Sequence, residues 1–188
     1  MAGIKTYVRL LSISCGIWLA PLAQASTTTP SAVVRNGIPQ NKADAITALA
    51  QTLLVAPEHL MAVIAFETDG SFDHRFRNPV NETLGLIQFT PELAQRLGTS
   101  QEDLGKASFE QHLHYIGQLL EGRAQSNRAA PLSLADICIA LIAPDHIDGT
   151  ETTPVFTKDN TPKSYTRYTP LDIDEDGRIT RSEIDQKL

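Results

Sequence analysis

The segment that most constrains this chain runs from Asp172 to Glu183 and reads Asp-Ile-Asp-Glu-Asp-Gly-Arg-Ile-Thr-Arg-Ser-Glu. Acids stand at positions 1, 3, 5 and 12 of it, Asp172, Asp174, Asp176 and Glu183, and Gly177 takes the sharp turn at position 6. Arg178 at position 7 offers its backbone carbonyl, Thr180 at position 9 binds directly or through water, and Glu183 closes the set with both carboxylate oxygens. This spacing suits a hard cation that takes about six to eight oxygens, so the residues predict a Ca2+ loop with a structural role. The loop also limits what surrounds it. Pro170 excludes a continuous incoming helix, whereas Thr180 to Leu188 can form the outgoing one. The expected unit is therefore an EF-hand-type half-hand over residues 171–188, docked on a larger body through Tyr165, Tyr168 and Leu171.

The other end reads as an export signal. Lys5 and Arg9 precede an apolar stretch from Leu10 to Leu22, and Ala23-Gln24-Ala25 supplies small residues for cleavage after Ala25. That stretch is shorter than the roughly 20 residues of a membrane span. Residues 1–25 are expected to be a signal peptide, and the chain periplasmic or secreted, with no membrane anchor after cleavage. Lipidation at Cys15 is the alternative; Ser12 and the apolar sequence continuing to Leu22 speak against it. Residues 26–40 are rich in Thr, Ser and Pro without an apolar period and read as a flexible leader. The 22 acidic residues outnumber the 16 basic ones, two of which fall in the signal. Such a surface excludes nucleic acid as a partner, because phosphate contacts need a basic one. Once the signal is removed Cys138 has no internal disulfide partner, and within Leu134 to Ile142 it reads as a small buried hydrophobe.

Between these ends the pattern is mainly α. From Asn41 the residues Ala45, Leu49 and Leu53 share a helix face that Ile46 and Leu54 widen. Pro57 suits the first turn of a second helix running to about Thr68 and closed by Asp69-Gly70. Gly, Asn, Pro and Asp signals between Gly70 and Phe89, with an apolar run at Leu84 to Phe89, predict a loop and a small β-hairpin. Helices follow from Thr90-Pro91 to Gly98, from a Ser108/Gln111 capping box to about Arg123, and from Ser133/Asp136 to Pro144. Residues 145–170 carry no clear period. Residues 41–170 are expected to form one domain.

Glu67 is the residue with chemical promise. Leu60, Ile64 and Glu67 fall on one helix stripe, so its carboxyl projects toward the core from the last turn. Burial and the negative end of the helix dipole both disfavour the anion, and a carboxyl that keeps its proton near neutral pH is what general-acid catalysis needs. A surface position, or a structural pair with Arg75 or Arg77, is the plainer alternative.

The longer string from Phe66 to Phe89, FETDGSFDHRFRNPVNETLGLIQF, resembles the lysozyme-like lytic transglycosylases. Glu67, Thr68 and Phe72 match that family's E-S-x-F-type stretch, and Gly85 to Phe89 its G-L-I-Q-F hairpin. The later TPELAQRLG, DICIALIAP and YTPLDIDEDGRIT are similar to secreted and phage-tail members that end in a calcium loop. The resemblance implies a lysozyme-like helical domain that acts on peptidoglycan glycan strands, with envelope machinery or a secretion system as a further partner class. It assigns Glu67 as the catalytic acid and Gln88 to substrate contact or cleft ordering; Phe72, Gly85, Tyr165 and Tyr168 are the other candidate substrate residues. It further implies that Glu67 protonates the oxygen between N-acetylmuramic acid and N-acetylglucosamine, then acts as base on the 6-hydroxyl to leave a 1,6-anhydro end. No cofactor enters that chemistry. A hydrolytic muramidase would need a second carboxylate, for which Asp69, Asp73 and Glu82 are the neighbours. Leu84, where relatives carry a polar residue, and the missing Tyr-Asn motif leave room for a non-catalytic calcium-dependent wall- or protein-binding module.

Overall fold

The computed structural model describes residues 37–78, 82–124, 132–147 and 149–188. The expected signal peptide, Cys15 and the leader up to residue 36 lie outside these.

Helix α1 (Gln40–Thr52) buries Ala43, Ile46 and Ala50 against α2 (Pro57–Glu67), which starts on a proline whose missing N–H costs nothing there. Leu54 departs from expectation. It is 81 % exposed with φ 55°, because α1 ends at Thr52 and Leu54 takes the left-handed turn that closes it. The N–H of Val55 reaches Ala50 O at 3.0 Å and that of Leu54 reaches Gln51 O at 3.2 Å, the bonding of a Schellman cap. Glycine usually fills this position; a leucine here obscured the helix end.

The hairpin is short. Strand β1 (Arg77–Asn78) pairs antiparallel with β2 (Thr83–Leu84), and Leu84 bridges Phe89 so that Gly85 to Gln88 form a tight turn. Thr90 then caps α3 (Pro91–Arg96), and Ser100 caps α4 (Gln101–Lys106), a helix too short to show a period. Helix α5 (Phe109–Ala124) begins with the expected box: Ser108 N–H donates to Gln111 Oε1 at 2.7 Å, and Gln111 N–H to Ser108 Oγ at 3.2 Å. Ser133 and Asp136 form the same device for α6 (Leu134–Ile142). Helix α6 is apolar nearly all round, which suits a central position. It packs on α2, α5 and, further along the chain, on α8 (Arg181–Lys187), and Cys138 lies buried within it as a free thiol.

Residues 145–170 hold more than expected. A 3-10 turn at Pro144–His146 leads to β3 (Pro154–Thr157), then to α7 (Pro162–Tyr168) and a second 3-10 turn at Thr169–Leu171. Strand β4 (Arg178–Thr180) pairs antiparallel with β3, Phe156 opposite Ile179 and Thr157 opposite Arg178. Order in β3 thus depends on a partner beyond Pro170, which a local reading cannot see. Ile179 and Ile184 belong to the same buried cluster as Leu60 and Ile64, so residues 171–188 share the core of the body. The incoming element is a helix broken at Pro170, as that proline dictates.

Candidate functional site

Glu67 is the last residue of α2. Thr68 caps the helix, Asp69 turns left-handed with φ 49°, and Gly70 N–H donates to Ala65 O at 2.7 Å. That closure holds the carboxyl inward. Its side chain is 3 % exposed, and Arg167 Nη2 on α7 donates to Oε2 at 3.2 Å. Burial pushes the Glu67 pKa up to about 7, against the opposing charge and hydrogen bond of Arg167 and a smaller influence of the Tyr168 phenol. Oε1 is buried without a well-formed hydrogen bond. Burial also holds Tyr168 well above the usual phenol range, so it stands beside Glu67 as a neutral hydroxyl. Arg75 and Arg77, the partners considered for Glu67, are exposed, and Arg167 takes that place.

The hairpin abuts this carboxyl through its backbone. Gln88, with φ 51°, offers its carbonyl oxygen to the same Arg167 Nη2 at 3.1 Å. Its side-chain amide is engaged inside the turn: Nε2 donates to Gly85 O at 2.9 Å and Phe76 O at 3.1 Å, and Oε1 accepts from Thr83 Oγ1 at 2.8 Å. The amide is thus spent on ordering the hairpin turn. Gly85 meets two demands that only glycine satisfies. Its φ is +91°, and a Cβ there would lie 2.4 Å from His112 Cε1. Phe72 is buried on a different face of the α2 end, lining an apolar groove with Ala62, Ala65 and Phe66, and its carbonyl accepts from Lys42 Nζ at 2.6 Å. Phe72 and Gly85 are thus placed as framework.

Beside the hairpin runs an open cleft of about 870 Å³, lined by Glu82, Thr83, Pro91, Glu92, Lys163 and Arg167 among others. A hollow of about 580 Å³ shares Glu82, Thr83 and Pro91 with it and extends to Arg77, Asn78 and Gln101. Together they make a groove with several hydrogen-bonding side chains along its walls. No protein-family model, curated protein or solved structure matches this chain.

On the far side of α7 lies the acidic loop. Carboxylate oxygens of Asp172, Asp174 and Asp176 lie within 4.8 Å of one another. Gly177, with φ +85°, directs its N–H to Asp172 Oδ2 at 3.1 Å, while Asp176 Oδ1 accepts from Arg178 N–H at 2.8 Å. Asp172 is 7 % exposed, and its Oδ1 is buried with no hydrogen-bond partner. A buried carboxylate oxygen without a donor, among other carboxylates, suits a cation, so these residues can hold a metal ion. Glu183 is not brought into that triad. Its Oε1 accepts from Ile173 N–H at 2.9 Å, and its Oε2 from Thr180 N–H at 2.9 Å and Thr180 Oγ1 at 2.8 Å, a capping box for α8. Arg178 exposes its side chain.

Tyr165 and Tyr168 both lie on α7 and face different neighbours. Tyr165 Oη donates to Asp172 Oδ2 at 2.6 Å, and Tyr168 stacks on Phe156 with centroids 5.2 Å apart. Sequence reasoning missed Arg167, which sits in a stretch without a period, and it missed the partner of Asp136. One Asp136 oxygen takes the cap bond expected of it, while the other pairs with Arg181, whose Nη2 also donates to Ile147 O at 2.6 Å. That buried pair ties α8 to α6.

Proposed function

We propose that this chain is an exported peptidoglycan lytic transglycosylase with a lysozyme-like domain, Glu67 as its single catalytic carboxyl and a structural Ca2+ in the Asp172–Glu183 loop. The observation that carries the reading is the state of Glu67: a helix-end carboxyl, buried beside a groove, whose pKa of about 7 leaves much of it protonated near neutrality. A group with that pKa donates a proton to a glycosidic oxygen and takes one back from a hydroxyl with comparable ease. Asp69, Asp73 and Glu82 are exposed, and the charge acting on Glu67 is that of Arg167. A buried Glu67 with no partnered carboxylate among the described residues favours the internal route, in which the substrate's acetamido group steadies the cationic centre and its 6-hydroxyl attacks. Two-carboxylate hydrolysis would need a second acid held at a fixed separation.

The metal supplies no step. Asp172, Asp174 and Asp176 would hold it, with the carbonyl of Arg178 as a further oxygen, while Thr180 and Glu183, the remaining ligands by sequence position, would join only on leaving their capping box; the ion would fix the loop between α7 and α8. The orphan Asp172 Oδ1 supports that fit. A second reading, a non-catalytic calcium-dependent binding module, draws on the closure of Glu67 beneath Arg167. A zymogram on purified sacculi separates them. Clearing by the wild type and none by a folded Glu67→Gln variant supports the enzyme; full clearing by that variant removes Glu67 from the chemistry. Anhydro ends in the products mark transglycosylation, and reducing ends mark hydrolysis.

A further inference from the structure

Arg167 occupies two places at once. Its Nη2 bridges Glu67 Oε2 at 3.2 Å and Gln88 O at 3.1 Å, joining the end of α2 to the hairpin. The same side chain lines the open cleft, with Lys163 from the first turn of α7 beside it. Its guanidinium lies 4.9 Å from the centroid of the Tyr168 ring, which supports it from behind. Glu67 beneath is 3 % exposed, so no glycosidic oxygen reaches the carboxyl unless the covering groups shift.

The hold on Glu67 is a weak form of a strong interaction. Guanidinium and carboxylate pair best through two parallel N–H···O bonds at roughly 2.7–2.9 Å. Here one nitrogen serves two acceptors, each singly and each beyond that range. A carboxylate arriving from the cleft can offer the fork–fork geometry that Glu67 does not. Arg167 is also the charge that opposes burial at Glu67; once it is drawn away, desolvation remains and the acid keeps its proton.

We propose that Arg167 is a substrate-reading latch: a carboxylate carried by the glycan beside the scissile bond pairs with its guanidinium, draws it off Glu67 and thereby uncovers the acid. The proposal rests on the wall-cleaving reading above and narrows its substrate to glycans bearing carboxylates at that place. Two sources carry that chemistry: the free lactyl carboxylate of a muramyl sugar without a peptide and, where that carboxyl is amide-linked to a peptide, the carboxylates of the stem. An uncharged glycan of the N-acetylglucosamine type leaves the latch closed.

The test compares kcat/KM on soluble wall glycans with free carboxylates, on the same glycans amidated with methylamine, and on glycans stripped of stem peptides. The proteins are the wild type, Arg167→Gln and Arg167→Lys, each checked for folding by circular dichroism. We expect the wild type to prefer the carboxylate form by roughly ten- to hundredfold, the range of a hydrogen-bonded charge pair. Arg167→Gln should bring the two forms to within about twofold and move the alkaline limb of its pH profile upward, while Arg167→Lys restores part of the preference. On stem-bearing strands the lactyl carboxyl is tied up in the amide to the peptide, so a preference seen there assigns the carboxylates of the stem; a preference seen only on stripped strands, whose lactyl carboxylate is free, assigns the lactyl group. An unchanged preference in Arg167→Gln, or an equal fall on both forms as from structural damage, overturns the latch but leaves the enzyme reading intact. If Arg167→Gln does not fold, Arg167→Lys decides alone: an unaltered preference and pH limb overturn the latch. A wild type that cleaves none of the glycans overturns both readings.

Discussion

Glu67→Gln should stabilise this protein in a strongly pH-dependent way. Glutamine keeps the shape of the side chain and an acceptor for Arg167 but cannot ionise. In the wild type the carboxyl rises from 4.5 to about 7 on folding, so the folded state favours the protonated form. Below pH 4.5 folded and unfolded chains both carry the proton, and this residue's contribution to stability is fully present. As the pH climbs toward 7 the unfolded chain ionises first, and that contribution drains away. Above 7 the buried anion has cost about 3 kcal/mol, at 1.36 kcal/mol for each pH unit between the two values. Urea denaturation of both proteins from pH 4 to pH 8 should therefore show a stability difference that grows in favour of glutamine by about 3 kcal/mol, or roughly 6–12 °C in Tm for a domain of this size. His74 and His112, whose pKa values burial lowers, titrate in both proteins and cancel in the difference. A difference constant across that range would refute the reasoning, since Glu67 would then ionise as readily folded as unfolded.

Chelation should lower the melting temperature of the wild type and leave an Asp172→Asn variant nearly unmoved; at free calcium a hundredfold above Kd the ion adds about 2.7 kcal/mol. Scanning calorimetry with calcium and with chelator measures this, and identical wild-type curves would exclude a structural metal. Gly85→Ala should cost about 3 kcal/mol, from a left-handed backbone and a methyl group driven into the His112 ring, read as a lower urea midpoint. Leu54→Gly should do the opposite and gain about 0.5–1 kcal/mol, the relief of left-handed strain less the added freedom of the unfolded chain; a loss would mean that Leu54 makes contacts its exposure denies.

What could be read ahead follows from how far each interaction reaches along the chain. Caps act over three residues, so Ser108 with Gln111 and Ser133 with Asp136 were legible, and the loop acids from Asp172 to Asp176 were legible from spacing alone. The inward aim of Glu67 followed from its place on the stripe of Leu60 and Ile64. Its partner did not, because Arg167 lies a hundred residues away and is delivered by α7, seven residues long and without a period. Strand β3 was invisible for the same reason, being ordered by β4 across the Pro170 break. Leu54 misled because a residue in a left-handed cap carries the same side chain as one on a buried stripe.

The structure also alters what the acidic loop means for Glu67. A staple far from the chemistry would be tied to the body by contacts of its own, and the Arg181–Asp136 pair supplies such a tie to α6. The second attachment is different. Tyr165 on α7 holds Asp172, and Arg167 and Tyr168, within one turn of it, stand on Glu67. Since α7 has only seven residues, too few to be stable by itself in water, its position depends on what grips each end. Its grips include the Thr157–Thr161 bonds at its start, the Phe156–Tyr168 stack against β3, the Arg167 bonds to Glu67 and Gln88, and the loop through Tyr165. The same short helix therefore carries the cover of Glu67 and a bond to Asp172, the first carboxylate of the loop, which places the loop within the structural support of the Glu67 site.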